Sequence, residues 1–144
     1  MTVLLDTNII MDALQERHPF DAAAKEILLR SEKGEIKCCF TASAATDIFY
    51  IYTKARDLGS ARNVLNYLFA NYSVISVSHE DCTNALSLPM DDFEDALVVT
   101  CAKREGMEYI VTRDDKFLRS KSSVPLILPE KLLAKLDLGK ATLP

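Results

Sequence analysis

Short apolar runs alternate with longer stretches of helical spacing along the chain, and that alternation predicts a parallel α/β sheet. Residues 2–5 read as a first strand and residues 8–14 as a short helix that breaks before Pro19. Pro19 suits a helix start, and residues 20–33 follow with Ala24, Ile27 and Leu28 on one face until Gly34 stops them. Residues 36–41 form a second strand, after which Ser43 can cap a helix to about Asp57 with Ile48, Ile51, Tyr52 and Ala55 aligned. Leu58-Gly59 reads as a turn, and Ser60 as the cap of a helix through Ala70. A third strand spans 73–77, a short helix 79–86, and a loop 89–92 leads into a helix over 93–105 closed by Gly106. Residues 108–112 are a fourth strand, 124–128 a fifth, and Pro129 starts a last helix.

The length of 144 residues suits one domain over 1–144, and 49% hydrophobic residues supply a sizeable core. No apolar run reaches the roughly 18 residues a membrane span needs. The opening residues Val3-Leu4-Leu5-Asp6 lack a basic leader, so we expect a cytoplasmic protein with no membrane role. Cys38, Cys39, Cys82 and Cys101 show no zinc-ligand spacing and are expected as reduced thiols, the adjacent pair pointing to opposite faces of its strand. The net charge of −4 argues against a nucleic-acid partner only if the acids are free; bound divalent cations would offset it.

The acids are the informative feature. In an open parallel sheet, sites form beyond the carboxyl ends of the strands. Asp6 directly follows strand one, and Asp114 and Asp115 follow strand four. Asp47 lies one helical turn past Ser43 after strand two, while Asp92 and Asp95 open the helix leading into strand four. Each has a plainer reading. Asp6 and Asp92 can cap helices, Asp114-Asp115 can form a turn, and Asp47 can lie on an exposed face. Together those readings weaken. Several partly desolvated carboxylates in one place repel unless protonated or paired, and no Lys or Arg is interleaved with them. A hard divalent cation is the natural compensation, and the absence of His among these residues favours Mg²⁺ or Mn²⁺ over zinc.

These residues also carry a family resemblance. Leu4-Leu5-Asp6-Thr7-Asn8 resembles the opening motif of PIN domains. Asp92-Phe93-Glu94-Asp95-Ala96-Leu97, then Cys101-Ala102, then Tyr109-Ile110-Val111-Thr112-Arg113-Asp114, resemble the family's later motifs in order and spacing. The likeness runs from residue 1 to about residue 130. It implies a three-layer α/β/α fold with a mainly parallel sheet of about five strands. It also implies a metal site of Asp6, Asp47, Asp95 and Asp114, with Asp92 as an additional ligand and Asn8 and Thr112 in the surrounding shell. Asp47 stands where the family usually has Glu, one methylene longer, and Asp114 is preferred to Asp115 because it directly follows Thr112-Arg113. Small members resembling this chain are VapC-like ribonuclease toxins, usually dimeric and held by a small antitoxin, so a homodimer and an antitoxin partner are implied by analogy.

The chemistry expected is hydrolysis of RNA by an endoribonuclease. One or two Mg²⁺ or Mn²⁺ ions would activate a water and stabilise the leaving oxygen, giving 5′-phosphate and 3′-hydroxyl ends. Asp6 is the natural ligand shared between two metals, and Asp47 a ligand or general base. Arg113, Lys116, Arg119 and Lys121 follow strand four and could hold the RNA backbone, or form a solvated loop. Phe49, Tyr50 and Tyr52 could stack on bases, but at helical spacing they suit a core or an interface. His18 and His79 lack the Ser or Cys context of a nucleophilic triad. The competing readings are a PIN-like RNA- or protein-binding module without catalysis, a phosphatase with a nucleophilic Asp, and a phospho-receiver. Thr7-Asn8 after Asp6 and Val77-Ser78 after strand three fit the last two poorly.

Overall fold

The computed structural model describes residues 1–141. Five strands form one sheet: β1 (Thr2–Leu5), β2 (Lys37–Thr41), β3 (Ser73–Ile75), β4 (Tyr109–Val111) and β5 (Leu126–Ile127). Every pairing is parallel and the order is β3-β2-β1-β4-β5. The described residues also form eight helices: α1 (Thr7–Leu14), α2 (Asp21–Glu32), α3 (Ala42–Ala55), α4 (Leu58–Asn71), α5 (His79–Leu86), α6 (Phe93–Arg104), α7 (Asp115–Leu118) and α8 (Pro129–Ala141).

Alternation along the strands builds the two cores. Val3, Leu5, Cys38, Phe40 and Val111 face one side, against Ile9 and Ile10 of α1, Ile27 of α2, Ile48 of α3, Leu68 of α4 and Leu132 of α8. Leu4, Cys39 and Ile110 face the other, against Val98, Val99 and Ala102 of α6 and Phe117 of α7. The architecture is therefore a three-layer α/β/α sandwich with an all-parallel sheet, as the residue pattern and motifs imply. Cys38 and Cys39 enter opposite cores as free thiols, and burial pushes the Cys38 thiol up to about 12. No described helix is long and apolar enough to cross a membrane.

The boundaries differ from expectation where a cap decides them. The α3 helix begins at Ala42 because the Thr41 hydroxyl, not Ser43, accepts the Ala44 amide at 3.2 Å. Leu58-Gly59 is no turn: the Asp57 carboxylate accepts the Ser60 amide at 2.7 Å, so α4 starts one turn earlier than a Ser60 cap implies. The edge strand β3 ends at Ile75, with β2 as its only strand neighbour among the described residues. The short α7 has too few residues for a helical period to show. Gly34 and Gly106 do end α2 and α6, with φ of 78° and 66°, which glycine adopts without steric cost.

The strand order positions the site. The chain winds outward from β1 through β2 to β3, then returns to lay β4 on the other side of β1. The carboxyl ends of β1 and β4 flank that reversal, and the crevice there is open to side chains from both halves.

Candidate active site

Leu5 pairs with Val111, so the residues after β1 and β4 emerge side by side. The Asp6 amide donates to the Val111 carbonyl at 2.9 Å, extending the ladder by one step. Asp6 occupies the N-cap of α1, yet its side chain makes no capping hydrogen bond. Its Oδ2 instead accepts the Thr112 hydroxyl at 2.8 Å, so capping does not explain this carboxylate. Thr112 is fully buried, and its Oγ1 also accepts the Asp114 amide at 3.1 Å.

Asp114 caps α7 through Oδ1, which accepts the Lys116 and Phe117 amides at 2.9 and 3.3 Å. Asp92 caps α6, accepting the Asp95 amide at 3.0 Å. The capping reading of Asp92 therefore holds, Asp114 caps a short helix where a plain turn was expected, and both residues also line the crevice. The N-terminal turn of α6 delivers Glu94 and Asp95 beside Asp92, and the helix dipole favours negative charge there. From the other side α3 brings half-buried Asp47.

Six carboxylates, those of Asp6, Asp47, Asp92, Glu94, Asp95 and Asp114, line one cleft of about 360 Å³, with Thr7, Asn8, Tyr50 and Ile51 completing the wall. Asp115 does not line it. Among the described residues, none of the six makes an ion pair within 4.0 Å. Their protonation reflects the crowding. The hydrogen bond with Asp47, reinforced by burial, lifts Glu94 to about 7. Burial, then the charges of Asp92 and Asp6, lift Asp95 to about 7. Burial also raises Asp6, against the Thr112 hydrogen bond that lowers it.

Glu94 is the member that sequence reasoning missed. It lies inside the Asp92–Asp95 motif, where it passes for a helix-favouring filler. A third acid in the first turn of a helix aimed at other acids was the available signal.

The donor set fits a hard divalent cation: every polar side chain in the cleft offers oxygen, and no His or Cys reaches it. Among the described residues, no three His, Cys, Asp or Glu side chains converge closely enough to hold an ion between them as they stand.

The family model for the PIN domain matches residues 2–116. The chain belongs to the PIN-domain family. Solved structures agree in fold. The PIN domain superposes with TM-score 0.65 on VapBC2 of Rickettsia felis, solved bound to a promoter DNA fragment, at 20% identity over 89% of this chain and 98% of that one. A toxin–antitoxin complex from Klebsiella pneumoniae gives 0.65 at 19% identity, over 88% and 97% of the two chains. VapC20 of Mycobacterium tuberculosis, a sarcin-ricin-loop-cleaving toxin, gives 0.65 at 11% identity over 80% and 92%. At these identities the likeness is one of fold. No curated protein sequence matches the chain.

The other expected residues of this PIN domain part company. Asn8 lines the cleft and its Oδ1 accepts Arg17 Nη1 at 3.4 Å. Lys116 and Arg119, with Ser120 and Lys121, line an adjoining cleft of about 340 Å³ that shares Asp92 and Asp95 with the first. Arg113 is not with them. It turns to fully buried Asp12, with Nε–Oδ2 at 2.5 Å and Nη2–Oδ1 at 2.9 Å. Tyr50 is exposed at the cleft, whereas Tyr52 is buried and Phe49 packs against the core. Both histidines lie outside the cleft, the His18 side chain being 91% exposed.

Proposed function

We propose that this PIN domain is an endoribonuclease that hydrolyses RNA phosphodiester bonds with Mg²⁺ or Mn²⁺, acting in the cytoplasm as the toxin of a toxin–antitoxin pair and as a homodimer. The observation that carries the nuclease reading is six carboxylates in one cleft at the topological switch point, none of them in an ion pair within 4.0 Å among the described residues. The toxin reading is supported by the fold shared with proteins solved in toxin–antitoxin complexes.

Asp6, Asp47, Asp95 and Asp114 would hold the ion, with Asp92 beside them. A divalent ion so held supplies positive charge against a phosphodiester and acidifies water. The chain's own residues prepare that site. Thr112 orients Asp6 by donating to Oδ2, which leaves the other oxygen of that carboxylate outside this bond. Asp47 beside Glu94, with burial, lifts it to about 7, which suits that carboxyl to exchange a proton near neutral pH. Lys116, Arg119 and Lys121 in the adjoining cleft suit the polyanionic backbone leading away from the cut.

One observation favours a second reading, a PIN domain that binds RNA or protein without cutting: the carboxylates are not gathered into a ready triad. Incubating a panel of RNAs with Mg²⁺ or Mn²⁺, and comparing wild type with Asp6→Asn, separates the two. Cleavage that vanishes in the variant and in EDTA supports the nuclease. Equal cleavage by both proteins, or cleavage that survives EDTA, rejects it; no cleavage and no Mn²⁺ uptake by wild type favours the binding module.

A further inference from the structure

We propose that Asp12 is a latch that holds the Arg113 guanidinium out of the acidic cleft, leaving Asp6 and Asp114 free for a cation; this rests on the reading of the cleft as a metal site.

Arg113 sits in the chain between Thr112, which donates to Asp6, and Asp114, which lines the cleft. A permanent cation is thus built into the loop that forms the site, and its charge cannot be removed by deprotonation. Left free, its planar fork would match a carboxylate, and the carboxylates of Asp6 and Asp114 already exert their fields on it. Such a pairing would neutralise the cleft from within and compete with any bound ion.

The structure directs that fork elsewhere. Asp12, on α1 and fully buried, takes both branches of the guanidinium in a bidentate pair, and Arg17 Nη1 stands 3.7 Å from the same carboxylate. Phe20 closes the other side, with its ring centroid 3.9 Å from the Arg113 Cζ. Asp12 does not line the cleft, so metal ligation does not account for it. Stability alone does not either. A buried ion pair is often no more stabilising than apolar side chains of the same shape, whereas a single unpaired buried charge is costly. What the pair does achieve is a fixed, inward direction for the one arginine adjoining Asp114.

A merely structural brace and a latch predict opposite epistasis. The test is Mn²⁺ binding, read from the electron paramagnetic resonance of the free ion at neutral pH, with a thermal melt of each protein to show that it is folded. Asp12→Asn keeps the side-chain shape but releases the fork, and Mn²⁺ affinity is expected to fall about tenfold or more, as for other residues that support metal ligands. Arg113→Met removes the competing cation, so affinity stays at the wild-type level or tightens. The double variant Asp12→Asn/Arg113→Met behaves like Arg113→Met, recovering what Asp12→Asn loses.

A double variant as weak as Asp12→Asn, or a tenfold loss in Arg113→Met alone, overturns the latch. If Asp12→Asn does not fold, the comparison of Arg113→Met with wild type decides by itself. Wild-type protein that takes up no Mn²⁺ rejects the metal reading of the cleft, and the latch with it. Wild-type uptake with unchanged affinity in Asp12→Asn rejects the latch alone.

Discussion

The Thr112 hydroxyl donates to Asp6 Oδ2 at 2.8 Å across 106 positions of sequence. It joins the ends of β1 and β4, the two strands that flank the topological reversal, and Thr112 Oγ1 also accepts the Asp114 amide. One buried threonine thus sets the relation between two carboxylates from opposite ends of the chain. Thr112→Val keeps the shape and removes both bonds. We expect a loss of about 1–3 kcal/mol in denaturant unfolding, because two polar groups lose a buried partner. Mn²⁺ affinity should fall about tenfold. A variant that binds as wild type does would show that Asp6 is held by other means.

Asp95 leads to a prediction about pH in metal-free buffer. Burial and neighbouring acids raise it to about 7 from its ordinary value of 3.8. The folded protein therefore binds this proton more tightly than the unfolded chain. The associated stability is fully present below pH 3.8 and is lost as pH rises through about 7. Asp95→Asn removes that loss. Its melting temperature should exceed wild type at pH 8.5 and approach it near pH 4, and adding Mn²⁺ should raise the melting temperature of wild type more than that of the variant. A variant less stable than wild type at the higher pH contradicts the crowded cleft.

Asp81 has the opposite sign. It completes a capping box with Ser78 at the start of α5 and pairs with Arg104 at 2.9 Å. The Ser78 amide, more than the Arg104 charge, holds its carboxylate below the ordinary value of 3.8. Its stabilisation is present above pH 3.8 and disappears as pH falls through its lower folded value. Asp81→Asn should lower stability by roughly 2 kcal/mol at pH 7 and much less near pH 2, as urea titrations at the two values would show. Because Asp81 lies outside the acidic cleft, Mn²⁺ affinity should be unchanged.

Lys116 and Arg119 are expected to hold substrate rather than to take part in bond breaking. Changing either to Ala should raise KM for RNA with little change in kcat. The slope of log affinity against log salt should become shallower by roughly 0.7 for each charge removed. A fall in kcat at unchanged KM would place them instead at the reacting phosphate.

Much of this arrangement was legible along the chain. The short apolar runs Val3-Leu4-Leu5 and Cys38-Cys39-Phe40 foretold strands of a parallel sheet, and Asp6 and Asp114 were placed by the rule that sites lie beyond strand ends. Caps were less legible. Thr41, Ser43, Asp57 and Ser60 are all good capping residues, and which one accepts an amide depends on where the preceding strand or helix stops. Arg113 looked free because its partner, Asp12, lies on another element and carries no motif of its own.

By itself, then, the order of residues determined the alternating elements, the parallel sheet and the arrival of acids from distant segments at one edge, since each follows from local periodicity and short-range turn chemistry. Only the tertiary structure decided that Glu94 meets Asp47, that Asp6 accepts the Thr112 hydroxyl, and that Arg113 faces inward. Those choices turn on the directions of side chains projecting from different elements, and packing of α1, α3 and α6 around the sheet sets those directions jointly.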